Sequence, residues 1–153
     1  MLTVNTKAYG RIDVDERQRI HFPYGIFGFE QLKDFVLLDA AQQPFYWLQS
    51  MDVKETAFVL INPLVFRKDY ELNVLVGDLE EIGLKSTPDD NILLFAIVTV
   101  PQNQQKMSAN LQGPIIINRD NKQGRQSVSL DPRWKTKHYI LEELSGKSKE
   151  EAC

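Results

Sequence analysis

Nucleophilic catalysis requires a Ser, Thr or Cys beside a base, most often a histidine, with a third group orienting that base. The sequence offers two histidines, His21 and His138, and one cysteine, Cys153. His21 stands beside Phe22 in an alternating stretch, and His138 stands beside Tyr139 in a basic one, so each reads as a structural or solvent-facing residue. Neither has a second His or a Cys at ligand spacing, and no metal is implied. Cys153 is the only cysteine, so it cannot close an internal disulfide, and at the last position it is poorly placed to be held as a nucleophile.

Two further patterns carry chemistry in other proteins. Gly25-Ile26-Phe27-Gly28 has the glycines of a phosphate cradle, but aromatic and acidic residues follow it and the lysine of a P-loop is missing. The pairs Glu80-Glu81 and Asp89-Asp90 have the carboxylates of acid-base catalysis, yet adjacent acids on loops are ordinarily solvated. The expectation is a protein that is not an enzyme and holds no cofactor.

The chain of 153 residues is 42% hydrophobic and 25% charged, with mean hydropathy −0.33. A chain this long buries roughly 70% of its unfolded surface without a staple. The longest apolar run, from Ile92 to Val98, is far short of the ~20 residues a spanning helix needs. The segment from Met1 to Lys7 lacks the pattern of a secretory signal, so a cytoplasmic location is expected, with no membrane association.

A net charge of −3 argues against generic nucleic-acid binding, which depends on neutralising phosphates. The charge is uneven. Residues 119–138 hold six Lys/Arg against two acids, while acids cluster at Asp78-Leu79-Glu80-Glu81, Glu142-Glu143 and Glu150-Glu151. Acidic patches steer basic partners.

The elements that must position these residues are mostly strands. In residues 11–15, Ile12 and Val14 alternate with Arg11, Asp13 and Asp15, and residues 19–22 repeat the alternation. Residues 35–38, 45–48, 57–61, 92–100 and 114–117 are β-branched or aromatic runs of strand length, and 126–130 is a weaker one entered through a hairpin loop at 120–124. Three short pieces read as helical: a single turn at 29–34, residues 79–83 capped by Asp78 and ended by Gly83, and a last turn at 140–144. So many short strands in one chain imply closure, because an open sheet leaves long unpaired edges. The predicted fold is all-β, mainly antiparallel: a single closed or partly open β-barrel-like domain over residues 1–145, with one or two short helical turns and a flexible tail at 146–153.

Four stretches stand out. HFPYGIFGFE at residues 21–30 is an aromatic turn, read either as a plug on the barrel end or as an exposed contact surface. PFYWLQSM at 44–51 sends aromatics to both faces of a strand, so one set fills the core and the other meets a second layer, a loop or a partner. A strand at 57–61 closes on Asn62-Pro63 and is followed by Phe66 and by Asp69-Tyr70. Asn110-Leu111-Gln112-Gly113-Pro114-Ile115-Ile116-Ile117-Asn118 is an extended run whose Pro114 suits the first position of a strand.

As a set, in this order, these stretches resemble the flagellar assembly factor family, FliW, across nearly the whole chain. Trp134-Lys135-Thr136-Lys137-His138 is similar to a further family segment. Departures are Phe27 where the family usually has Pro, Gly113 where Ala is common and Trp134 where Tyr is usual. The resemblance implies an antiparallel barrel-like domain, monomeric alone, with two protein partners: flagellin, and the translational regulator CsrA, an RNA-binding dimer. It implies partner switching, in which export of flagellin frees the factor to antagonise CsrA at a surface distinct from the RNA site, so that nucleic acid enters only through CsrA. Contacts are expected on Gly25, Ile26, Phe27 and Phe29, on Asn62, Pro63, Phe66, Asp69 and Tyr70, and on Glu80 and Glu81. The alternative is an RNA-binding regulator using residues 119–138, with Trp134 and Tyr139 as stacking platforms.

Overall fold

The alternating stretches become strands in the computed structural model, which describes residues 1–85 and 91–145. Strands β1 (Leu2–Thr6) and β2 (Gly10–Val14) pair as a separate two-stranded sheet. The others are β3 (Arg19–His21), β4 (Asp34–Asp39), β5 (Tyr46–Ser50), β6 (Ala57–Ile61), β7 (Ile92–Thr99), β8 (Ser108–Asn118), β9 (Gly124–Gln126) and β10 (His138–Tyr139). They form one antiparallel sheet in the order β10-β8-β7-β6-β5-β4-β3, with β9 on the other half of β8. A bridge between His21 and Gln123, with the His21 N–H donating to the Lys122 carbonyl at 2.9 Å, brings β3 back to the β8–β9 turn. The sheet is therefore nearly closed and barrel-like, as the sequence implied.

Alternation sorts the side chains. Phe35, Leu48, Leu60, Phe95, Ile115 and Ile117 fill the interior. Their neighbours along the same strands face outward and are covered by further layers: Val36 and Leu38 by the β1–β2 sheet, Ile61, Ala96 and Val98 by Phe66, Tyr70 and Trp134, and Ile116 by Leu79 and Ile82. The Phe45/Trp47 set meets second layers in the same way, while Tyr46 and Leu48 face the interior.

β8 changes phase midway. Asn110 pairs with Ile97 and Ile115 with Phe95, so five steps along β8 match two along β7. The odd difference moves odd-numbered residues from the outer face (Ala109, Leu111) to the interior (Ile115, Ile117). The Asn110 side-chain oxygen accepts from the N–H groups of Gln112 and Gly113, which shapes the bulge. Pro114 thus lies inside β8, at the irregularity, and not at a strand start; a residue without an N–H fits where the ladder is interrupted.

The helical expectations fare unevenly. Residues 140–145 are helical, and Gly83, at φ +81°, follows the one turn of α1 (Val76–Glu80). α1 begins earlier than its sequence suggests: Leu75 is the N-cap, with no side-chain cap bond, and Asp78 lies in the first turn with its carboxylate committed to Arg125. Residues 29–34 are not helical but run through tight turns into β4, because Ile26 and Phe29 bridge and the Glu30 carboxylate turns back to the Gly28 N–H. β1 and β10 carry too few apolar positions to stand out in the sequence, and β9 lies at 124–126, ahead of the expected 126–130. The pair Asp89-Asp90 and the tail at 146–153 lie outside the described residues.

Candidate functional site

The aromatic turn between β3 and β4 is both plug and surface. Phe22 and Ile26 are buried in the barrel core, the Phe22 ring lying edge-on to Phe35 with centroids 5.3 Å apart. Tyr24 and Phe27 are each 50% exposed, and Phe29 is 41% exposed while standing edge-on to Phe58 at 5.1 Å. Gly25 makes the reversal possible. Its φ of +67° is left-handed, and a Cβ there would lie 2.5 Å from the Glu30 Cα, closer than any side chain allows. The Phe27 N–H donates to the Gln126 side-chain oxygen at 3.0 Å, and the Gly28 N–H donates to Glu30, whose carboxyl it holds below its ordinary value. Exposed aromatics on a backbone pinned this way have little freedom to lose on meeting a partner.

The stretch after β6 is different. Asn62 caps a 3-10 turn at Pro63–Val65 by accepting from the Leu64 N–H at 2.9 Å. The side chains it presents are Leu64 and Val65, at 44% and 41% exposure, whereas Pro63, Phe66 and Tyr70 are buried. The Tyr70 hydroxyl donates to the Leu111 carbonyl at 2.9 Å, its ring lies 4.8 Å from that of Trp134, and burial raises its pKa well above the ordinary phenol value. Asp69 takes two bonds from Arg67, at 2.8 and 2.9 Å, and Arg67 also reaches Glu143 at 2.7 Å. Of the residues the family resemblance singles out, Gly25, Ile26, Pro63, Phe66 and Tyr70 are therefore beneath the surface of the free chain, and Asp69 is engaged with a base.

Glu80 and Glu81 are exposed at the end of α1. Glu81 pairs with Arg125 on β9, which also reaches Asp78 at 3.2 Å and stacks over the Tyr24 ring at 4.9 Å. The structure thus joins the aromatic turn and the acidic helix through a residue that, in sequence, belongs to the basic segment. Spacing could not show this, since Arg125 is 44 residues from Glu81.

Two of the six bases of that segment, Arg125 and Arg133, are paired within the molecule. Arg133 pairs with Asp131 at 2.9 Å, and Trp134, 1% exposed, is packed between Tyr70 and the guanidinium groups of Arg67 and Arg133. A buried indole cannot stack a base, which removes one of the two platforms that direct RNA binding requires.

The histidines have structural partners. His138 is buried; its Nε2 accepts from the Lys135 N–H at 2.8 Å, so Nδ1 carries the proton and donates to Glu143 at 2.8 Å. His21 is half exposed, with Nδ1 3.0 Å from Asp34, which Arg19 also approaches at 3.2 Å. Partial burial raises the Asp34 pKa, but these two hydrogen bonds outweigh it and hold the carboxyl below its ordinary value. Among the described residues no three His, Cys, Asp or Glu side chains come together as a metal site would need, and no helix is long and apolar enough to cross a membrane.

A separate cavity of about 460 Å³ opens on the outer face of the sheet, lined by Tyr9, Phe45, Trp47, Val59, Val100 and Met107. It falls at the seam between the β1–β2 sheet and the layer built around Trp134.

Residues 3–140 match a family model described as "FliW protein". A flagellar assembly factor FliW of Treponema denticola is 42% identical over 144 residues, 94% of this chain and 97% of the relative. Another, of Treponema pallidum, is 38% identical over 152 residues, 99% of this chain and all of the relative. A crystal structure of the flagellar assembly factor FliW superposes with a TM-score of 0.80 at 35% identity, covering 90% of this chain and 96% of that one.

Proposed function

The chain belongs to the FliW family of flagellar assembly factors, and from that premise we propose that it works in the cytoplasm as a non-enzymatic binding protein for flagellin and for the translational regulator CsrA. Free flagellin occupies the factor; once flagellin is exported, the factor binds CsrA and relieves repression of the flagellin transcript. Alone, it is a monomer. The single observation that supports this reading most is the aromatic turn, where three large side chains are exposed on a backbone pinned by Gly25, Gln126 and Glu30. Aromatic side chains with little freedom to lose are the usual anchors of protein interfaces.

The contact set is Phe27 and Phe29 on that turn, supported from beneath by Gly25 and Ile26, together with Glu80 and Glu81. Asn62 shapes a second exposed apolar step at Leu64 and Val65, with Pro63, Phe66 and Tyr70 as its buried support and Asp69 beside it. The acids suit a partner that binds RNA and is therefore partly basic.

Co-purification tests the reading: the chain with CsrA, with flagellin, and with both. The expected result is a complex with each and displacement of one by the other. Retention of neither partner would sink it.

A further inference from the structure

Beyond β9 the chain stays extended beside β8. The N–H groups of Ser127 and Ser129 donate to the carbonyls of Pro114 and Gln112 at 3.0 and 2.7 Å. In an extended strand successive N–H and C=O groups point to opposite sides, so those of Val128 point away from β8. Among the described residues neither has a partner, and the Val128 side chain is 52% exposed. Two residues on, the outward N–H of Leu130 is taken by the Asn73 carbonyl at 2.8 Å. On the other side, the Gln126 side chain holds the Phe27 N–H. The open edge is therefore short, bounded by the aromatic turn and by the strand-like approach of Asn73.

We propose that the β8-flanking edge at Val128 is a strand-addition site, which takes a short extended apolar segment of a protein partner that also carries a Lys or Arg. The inference rests on the binding reading above and adds the conformation of what is bound. The open main chain selects the occupant. A helix satisfies its own backbone groups, and docked here it would bury the Val128 N–H and C=O without partners. An extended segment pairs with both, as strand addition does elsewhere. Phe27 lies on one side of the edge, and exposed Leu130 and Leu75 lie on the other, so the segment is apolar where it crosses. The basic residue follows from α1, where Asp78 and Glu81 share one neutralising Arg125 and Glu80 stands exposed beside them. The same acids disfavour a phosphate backbone as occupant.

The test is Val128→Pro in the full chain. Proline removes the one N–H in question and leaves both bonds to β8 intact, an edge position where proline is tolerated. Isothermal titration of wild type and V128P against purified flagellin and purified CsrA is expected to show about tenfold or greater loss of affinity for one of them, with the melting temperature unchanged. Amide exchange of wild type provides a second reading that needs no variant: the Val128 N–H becomes protected on adding that partner. If wild type binds neither partner, the binding reading itself fails. If wild type binds and V128P binds equally well, with Val128 still exchanging freely, strand addition is overturned. Self-association of wild type that V128P abolishes would also overturn it, by making a second copy the occupant.

Discussion

The guanidinium of Arg125 lies 4.9 Å from the centroid of the Tyr24 ring while its nitrogens bond to Asp78 and Glu81. One side chain thus ties the aromatic turn, β9 and α1 together. Its own exposure is 20%, and that of Asp78 is 17%, so the pairing is screened less than a surface ion pair.

Arg125→Ala is expected to lower unfolding stability by about 1–3 kcal/mol, because two acids lose their base and Tyr24 loses its cation. Urea unfolding measures it. Arg125→Lys should recover less than half of the loss, since an ammonium cannot match the planar fork. Full rescue by lysine would mean that charge alone is at work.

On the turn, stability and binding should separate. Ile26→Ala removes a buried side chain and is expected to cost about 2–5 kcal/mol, whereas Phe27→Ser should change stability by no more than about 0.5 kcal/mol. Phe27→Ser should instead weaken partner binding about tenfold or more. Thermal melts read the first pair, and titration calorimetry reads the second.

The two neighbouring glutamates should behave differently despite adjacent positions. Glu81→Lys faces Arg125 and is expected to lower the melting temperature. Glu80→Lys should leave it unchanged and weaken CsrA binding in a way that fades as salt is added. Equal effects of both reversals on folding would contradict the pairing.

Tyr70 provides a pH signature. Burial raises the pKa of its phenol above the ordinary value of 10.0, so the folded state favours the neutral form. That contribution is fully present below pH 10 and is lost as the pH rises from there toward the folded-state value. Tyr70→Phe is expected to cost about 1–2 kcal/mol at neutral pH, through the unpaired Leu111 carbonyl, and to flatten the alkaline loss of stability. Denaturant titrations at about pH 8 and above about pH 10 compare the two slopes.

The strands were legible where apolar residues alternate, as in β2 and β3, because a period of two marks a strand with one face buried, and where β-branched or aromatic residues run together at strand length, as in β4 to β8. β1 and β10 were not, since Val4 is the one fully buried aliphatic residue of the first and the second has only two residues. The turn at 21–30 announced itself through aromatics in a glycine-rich loop, but sequence could not divide them into the buried Phe22 and Ile26 and the exposed Tyr24, Phe27 and Phe29. The same limit applies to Phe66 and Tyr70, which look like surface aromatics in a polar loop until Trp134 is brought against them from 64 residues away. Arg125 is the clearest case, because its meaning comes from partners on two other elements, the aromatic turn and α1, that only the closed sheet brings to it.

We propose that this chain offers its partners a preformed apolar surface and performs no chemistry on a substrate. Titration of the purified chain with flagellin and with CsrA, each at micromolar concentration, tests that claim most directly. Saturable binding to each is expected, with Phe27→Ser weakening the interaction while melting like wild type. No heat with either partner, or full affinity in the Phe27→Ser variant, would contradict it.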